Sequence, residues 1–196
     1  MNNYPEDFLK AVALTLKVEG GYSNRPPHED PGGATNLGIT EGLLKDIGGW
    51  HGKRDVRQLS EADAVGIYYK HFWQRFKCGS LPWPLSCAVF DHCVNAGAHG
   101  VKVLQSMLNE FVNPRIAVDG GIGPQTLGAL EKTLTAVTEA LRRERTESLA
   151  LLWLTVTYLF RRLRDYANRP AKSIREANMS GWTNRVCDLE NKLLHE

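Results

Sequence analysis

The chain lacks the features that announce a metal centre, a disulfide scaffold or a membrane span. Its cysteines are few (Cys78, Cys87, Cys93 and Cys187), and none forms a C-x-x-C pair. No His/Cys spacing has the form of a zinc site. Buried free thiols are expected, consistent with synthesis in a reducing cytoplasm. The longest apolar stretch, Leu149–Phe160 (LALLWLTVTYLF), has 12 residues, whereas a spanning helix needs roughly 20. It reads as a buried core helix, with an interfacial membrane helix as the alternative. The arginines on its flanks (Arg142, Arg143, Arg145; Arg161, Arg162, Arg164) read as a solvated helix face. Excess charge is also small. A net +2 is too mild to indicate nucleic acid, though compatible with an anionic polymer. The start, MNNYPED, has no basic n-region, and the apolar run Ala11–Leu16 is short, so no signal peptide is expected. Repeats and low-complexity segments are missing too.

What is present is a core. Hydrophobic residues make up 42% of 196, enough for one globular domain, or one with a small appendage. Pro5 suits a first helical turn. Phe8, Val12, Leu16 and Ala11, Leu14, Val18 then recur at helical spacing until Gly20 and Gly21 end the helix. Residues 22–40, rich in Pro, Gly, Asn and Asp, predict a loop or a small β-hairpin. Thr40 is placed to cap a short helix to about Lys45. Ser60 and Asp63 have capping spacing, ahead of a helix carrying Val65, Tyr69, Phe72, Trp73 and Phe76 on one face. Pro84 opens Leu85–Ala96, apolar on more than one side and so expected to be central. Gly97 and Gly100 separate it from a helix running from Val101 to about Phe111. VDGGIGPQT (118–126) predicts a turn and a helix start at Pro124. One or two long helices follow to about 166, and a last helix includes Trp182 and Val186. The class is mainly α.

The chemistry concentrates near the first helix end. A glutamate on a last turn, here Glu19, meets the negative end of the helix dipole. Partial burial against Val18 and Tyr22 would add desolvation. Both disfavour the charged form, as a general acid near neutral pH requires. The alternative is a solvated glutamate at a helix end. Asp30 follows in the turn-rich segment. It is either an Asx-turn residue before Pro31 or the second of two carboxylates, the minimum equipment for glycoside hydrolysis. Thr35 could hold a water by its hydroxyl. Asp91 and Asn95, four apart on the central helix, either line a cleft or make buried hydrogen bonds. Tyr22, Trp50 and Trp73 could stack on sugar rings, although aromatics at helical spacing usually belong to a core.

The stretch EGGYSN…DPGGATNLGIT resembles the signature of the glycoside hydrolase family 108 muramidases, lysozyme-like proteins found as phage endolysins and secretion-associated peptidoglycan hydrolases. LSEADAVGIYYKHFW resembles the family's next helix and LPWPLSCAVFDHCVNAG its central helix. LQ (104–105) with VDGGIGPQTLGAL resembles its predicted peptidoglycan-binding region, and GWTNRV (181–186) its closing helix. The resemblance implies a lysozyme-like fold: a helical bundle around a central helix, with a small hairpin or loop near the N-terminus. It implies a catalytic region over 1–97 and a peptidoglycan-binding region over 98–196, packed together as one unit. It implies cleavage of the β-1,4 bond between N-acetylmuramic acid and N-acetylglucosamine, with Glu19 as acid and Asp30 and Thr35 positioning water. Tyr22, Asn36, Asn95 and Asp91 are the expected sugar contacts. One departure is visible: NRPPHEDPGG (24–33) is longer than the family's N-D-P-x-D-P-G-G, so Glu29 or His28 stands as an alternative to Asp30.

No metal or organic cofactor is expected. The partner is cell-wall peptidoglycan rather than nucleic acid. The protein is expected to be a monomer made in the bacterial cytoplasm, reaching the periplasm or wall through a holin or secretion machinery. Two other readings compete: a non-catalytic peptidoglycan-binding or secretion scaffold, and a lytic transglycosylase using the muramic 6-hydroxyl in place of water.

Overall fold

In this computed structural model the described residues are 4–19, 21–23, 33–141 and 147–168, with residues 17–19 described by backbone alone. Gly20, His28, Glu29, Asp30, Arg142, Arg143, Arg145, Trp182, Val186 and Cys187 lie outside them. The chain forms two compact units, Met1–His71 and Phe72–Glu196.

The first unit opens with α1, Glu6–Glu19. Pro5 precedes it, and its carbonyl accepts the Leu9 N–H at 3.1 Å. Phe8, Ala11, Val12 and Leu14 are buried, so the helical spacing in the sequence marks the core face. Tyr4, Phe8 and Tyr69 meet edge-on or tilted, with centroids 4.8–5.4 Å apart. Strands β1 (Thr35–Asn36) and β2 (Ile39–Thr40) form an antiparallel hairpin, with Thr35 opposite Thr40. Its turn residues Leu37 and Gly38 have φ of +52° and +75°. Two positive values make the tight turn whose twist matches the strands. Glycine adopts this freely, but leucine does so at a cost. The Tyr68 hydroxyl donates to the Leu37 carbonyl at 3.0 Å and helps hold it. Thr40 caps α2, Glu41–Asp46, its hydroxyl accepting the Leu43 N–H. Ser60 and Asp63 form a complete capping box on α3, Glu61–Tyr68. Lys53 pairs with the same Asp63 carboxylate. These contacts draw its pKa from 3.8 down to about 2, the Lys53 hydrogen bond contributing most.

From Tyr69 to Gln74 the helix widens into a π turn. The regular helical face drawn from the sequence through Phe76 is therefore interrupted here, because a wider turn shifts every later side chain around the axis.

The second unit is helical: α4 (Leu85–Ala96), α5 (His99–Leu108), α6 (Pro124–Ala140) and α7 (Glu147–Ala167). Every α4 residue from Leu85 to Cys93 is buried, as its all-round apolar pattern requires. Trp73 is buried against Phe90, with ring centroids 5.5 Å apart, and so belongs to the core. Cys78, Cys87 and Cys93 are buried free thiols. Gly100 lies inside α5 rather than before it. A Cβ there would come within 2.9 Å of the Cys93 Sγ, so glycine permits the close α4–α5 crossing. The VDGGIGPQT turn is tied down by buried Gln105. Its amide donates to Asp119 Oδ1 at 2.7 Å and to the Gly121 carbonyl at 3.0 Å, and its oxygen accepts the Gly120 N–H at 2.8 Å.

A polar network runs through this core. Arg162, expected on a solvated face, is fully buried, with Nη2 2.7 Å from the Asp91 carboxylate. Its Nε donates to the Tyr166 hydroxyl at 2.7 Å. The Tyr158 hydroxyl donates to the Gly100 carbonyl at 3.0 Å and contacts His92 Nδ1 at 2.8 Å. A carbonyl only accepts, so the hydroxyl's one proton is committed and His92 donates from Nδ1. Burial is the main cause that pushes the Tyr158 hydroxyl pKa well above its ordinary value. In α7, Ala150, Leu154, Tyr158 and Leu159 are buried while Leu149, Trp153 and Phe160 are exposed, so the apolar stretch packs one face into the core and leaves another at the surface. No helix among the described residues is long and apolar enough to cross a membrane.

Candidate active site

Glu19 is the last residue of α1, and its side chain falls outside the described atoms. Four residues on, Ser23 pairs with Thr35 in an antiparallel bridge, the two exchanging N–H···O bonds of 2.8 and 2.7 Å. Paired Cα atoms of this kind stand about 5.5 Å apart, and four residues span at most about 14 Å. The Glu19 and Thr35 Cα atoms therefore lie within about 20 Å of each other. The bridge also fixes Tyr22 beside the hairpin, with 51% of its surface exposed. Thr35 is half-buried, and its hydroxyl donates weakly to the Gly33 carbonyl at 3.4 Å. That leaves its lone pairs for an incoming O–H.

Asn36, expected as a sugar contact, has its amide committed to the fold. Nδ2 donates to the Val56 carbonyl at 2.9 Å and to the Leu59 carbonyl at 3.2 Å. It pins the hairpin to the chain entering α3. Asp91 also departs from its expected place. It is buried in the second unit and paired with Arg162, so its carboxylate serves the core instead of a cleft. Asn95, half-buried, turns its amide back to the Asp91 carbonyl at 2.8 Å along α4. Trp50 covers Gly66, where a Cβ would come within 2.7 Å of its ring. The structure thus brings together Tyr22, Thr35 and the hairpin near the end of α1. It gives Asn36, Asp91 and Asn95 partners within the fold.

Two charged groups at this hairpin were not singled out by sequence. The Glu41 carboxylate lies beside Gly33, 3.0 Å from where a Cβ would stand. Exposed Arg57 forms a bidentate pair with Asp55, which is the main cause raising its pKa, and it also feels Tyr22 and Glu41. The T-E step hinted only at a helix cap; the neighbour that gives Glu41 its place, Gly33, is visible only in the folded chain. Among the described residues no cluster of three or more His, Cys, Asp or Glu side chains could hold a metal ion.

Residues 12–97 match the family model described as Glycosyl hydrolase 108. Residues 99–187 match the model described as Predicted Peptidoglycan domain. Among solved structures the chain is similar to SagA of Brucella abortus, with a TM-score of 0.71 and 28% identity over 95% of this chain and 93% of that one. No curated protein matches. The resemblance carried by EGGYSN…DPGG and VDGGIGPQT thus holds across both regions, and peptidoglycan is the partner the second one indicates. Residues 12–97 are thus a glycosyl hydrolase 108 region, and a predicted peptidoglycan domain follows it over residues 99–187.

Proposed function

We propose that the protein is a muramidase. It hydrolyses the β-1,4 bond between N-acetylmuramic acid and N-acetylglucosamine, with Glu19 as general acid. The observation that carries this reading is the position of Glu19 at the last residue of α1, a few residues before the bridge that seats Thr35. The negative end of the helix dipole disfavours a carboxylate there and so favours a carboxyl with a proton to give. In the step, the Glu19 proton passes to the glycosidic oxygen, and the C1–O bond breaks with its electrons going to that oxygen. Water attacks C1 and gives its proton to the Asp30 carboxylate. The Thr35 hydroxyl orients that water by accepting one of its hydrogens. Tyr22, exposed beside the hairpin, offers a face to a sugar ring.

The identity of the bond is tested by digesting purified peptidoglycan and reading the product ends by mass spectrometry. Reducing muramic ends are expected. Reducing glucosamine ends would move the cut to the other bond, and anhydromuramic ends would make the enzyme a lytic transglycosylase. Intact wall with retained binding would make it a scaffold.

A further inference from the structure

The helical unit holds a cavity of about 350 Å³ lined by residues of α5 and α7 and by Val118 of the turn before α6. His99, Lys102, Val103 and Ser106 contribute from α5, at spacings that put them on one helix face. Arg161, Arg164 and Asp165 contribute from α7. The charges sort into two sets. Asp165 is satisfied by His99, with Nε2 to Oδ1 at 2.6 Å. Arg161 grips Glu110 through both terminal nitrogens, while its Nε is buried with no acceptor. Lys102 and Arg164 are exposed and form no ion pair within 4.0 Å among the described residues, although Lys102 acts through space on Asp119 and Arg164 on Glu110. The Lys102 stem runs along Gly120, its Cε 3.3 Å from where a Cβ would stand, so the ammonium has a defined origin. The cavity thus offers an ammonium and a guanidinium without a close ion-pair partner, beside the apolar surfaces of Val103 and Val118.

We propose that this cavity binds the free carboxylates of the peptidoglycan stem peptide. The inference deepens the wall-binding half of the function and rests on the match of this region to a peptidoglycan domain; it is independent of the Glu19 chemistry. Acetylated glycan carries no charge once the muramic carboxyl is joined to peptide in an amide bond. The stem peptide supplies the anionic groups of this polymer, so a cationic cavity selects peptide over sugar. Ammonium and guanidinium donors suit carboxylate oxygens. The valines suit the aliphatic part of the same residues.

The test uses the full chain and the sugar-free tripeptide L-Ala-γ-D-Glu-meso-diaminopimelate, titrated by calorimetry. A sugar-free ligand keeps the result separate from the hydrolase site, so a failed muramidase reading leaves this test intact. The free-acid peptide is expected to bind about tenfold more tightly than its fully amidated form, and to weaken as salt rises. Lys102→Gln with Arg164→Gln is expected to remove most of that preference while leaving the melting temperature in place, since both side chains are exposed. Equal affinity for acid and amide in the wild type would overturn the proposal, and that comparison needs no variant. Unchanged binding by the double variant would also overturn it. Displacement of the peptide by an equal concentration of inorganic phosphate would make the cavity a general anion site and overturn the peptide assignment.

Discussion

The hairpin unit and the helical unit use their polar side chains in opposite ways. In the first, Thr40, Ser60, Asn36 and Tyr68 bond to backbone and fix the path of short segments. In the second, Asp91, Arg162, His92, Tyr158 and Tyr166 bond largely to one another in the core. The first pattern shapes a surface on which Tyr22 and Thr35 remain available. The second makes a frame in which Asp91 and Tyr166 hold Arg162, and His92 holds Tyr158. Changes in the two regions should therefore differ in kind: activity losses with modest stability effects around the hairpin, and stability losses in the helices.

The strongest challenge to this contrast is Asp91→Asn. It leaves the buried Arg162 cation without its counter-charge, and a loss of about 3–5 kcal/mol is expected in denaturant unfolding. A loss of activity with unchanged stability would instead return Asp91 to substrate binding. Tyr158→Phe comes next. It strips the partner from His92 Nδ1 and the donor from the Gly100 carbonyl, for about 1–3 kcal/mol; a neutral variant would remove this network from the frame.

Asn36→Ala probes the other side of the comparison. Stability should fall by about 1–2 kcal/mol, while turnover on peptidoglycan falls about tenfold or more as the hairpin shifts. Equal proportional losses in this variant and in Tyr158→Phe would erase the distinction. The smallest effect is in pH. The folded pKa of Asp63, about 2, lies below the ordinary 3.8, so the folded state favours the ionised form. Its contribution is complete above about pH 4 and is lost as the pH falls toward 2, amounting to about 1–2 kcal/mol. Asp63→Asn should flatten the unfolding curve across that window.

The sequence carried the local features well, because their causes are local. The cap at Thr40, the box at Ser60 and Asp63, the all-round apolar α4 and the hairpin around Gly38 each follow from residues near one another in the chain. Long-range pairings were not legible. Arg162 sits in a run of arginines that reads as a solvated face, and Asp91, far along the chain, gives no sign of being its partner. Leu37 in a left-handed turn and the π turn at Tyr69–Gln74 are likewise products of tertiary packing that local propensity does not encode. For the candidate site, Tyr22 and Thr35 could be placed by motif. Asn36 could not be distinguished from a sugar contact until its carbonyl partners were in view.

The most direct test of the central claim is the turnover of Glu19→Gln on purified peptidoglycan, measured alongside its melting temperature. A loss of about a hundredfold or more in turnover is expected, the order that general acid catalysis supplies, with the melting temperature unchanged. Wild-type turnover in a folded Glu19→Gln protein would contradict it and pass the acid's role to another carboxylate.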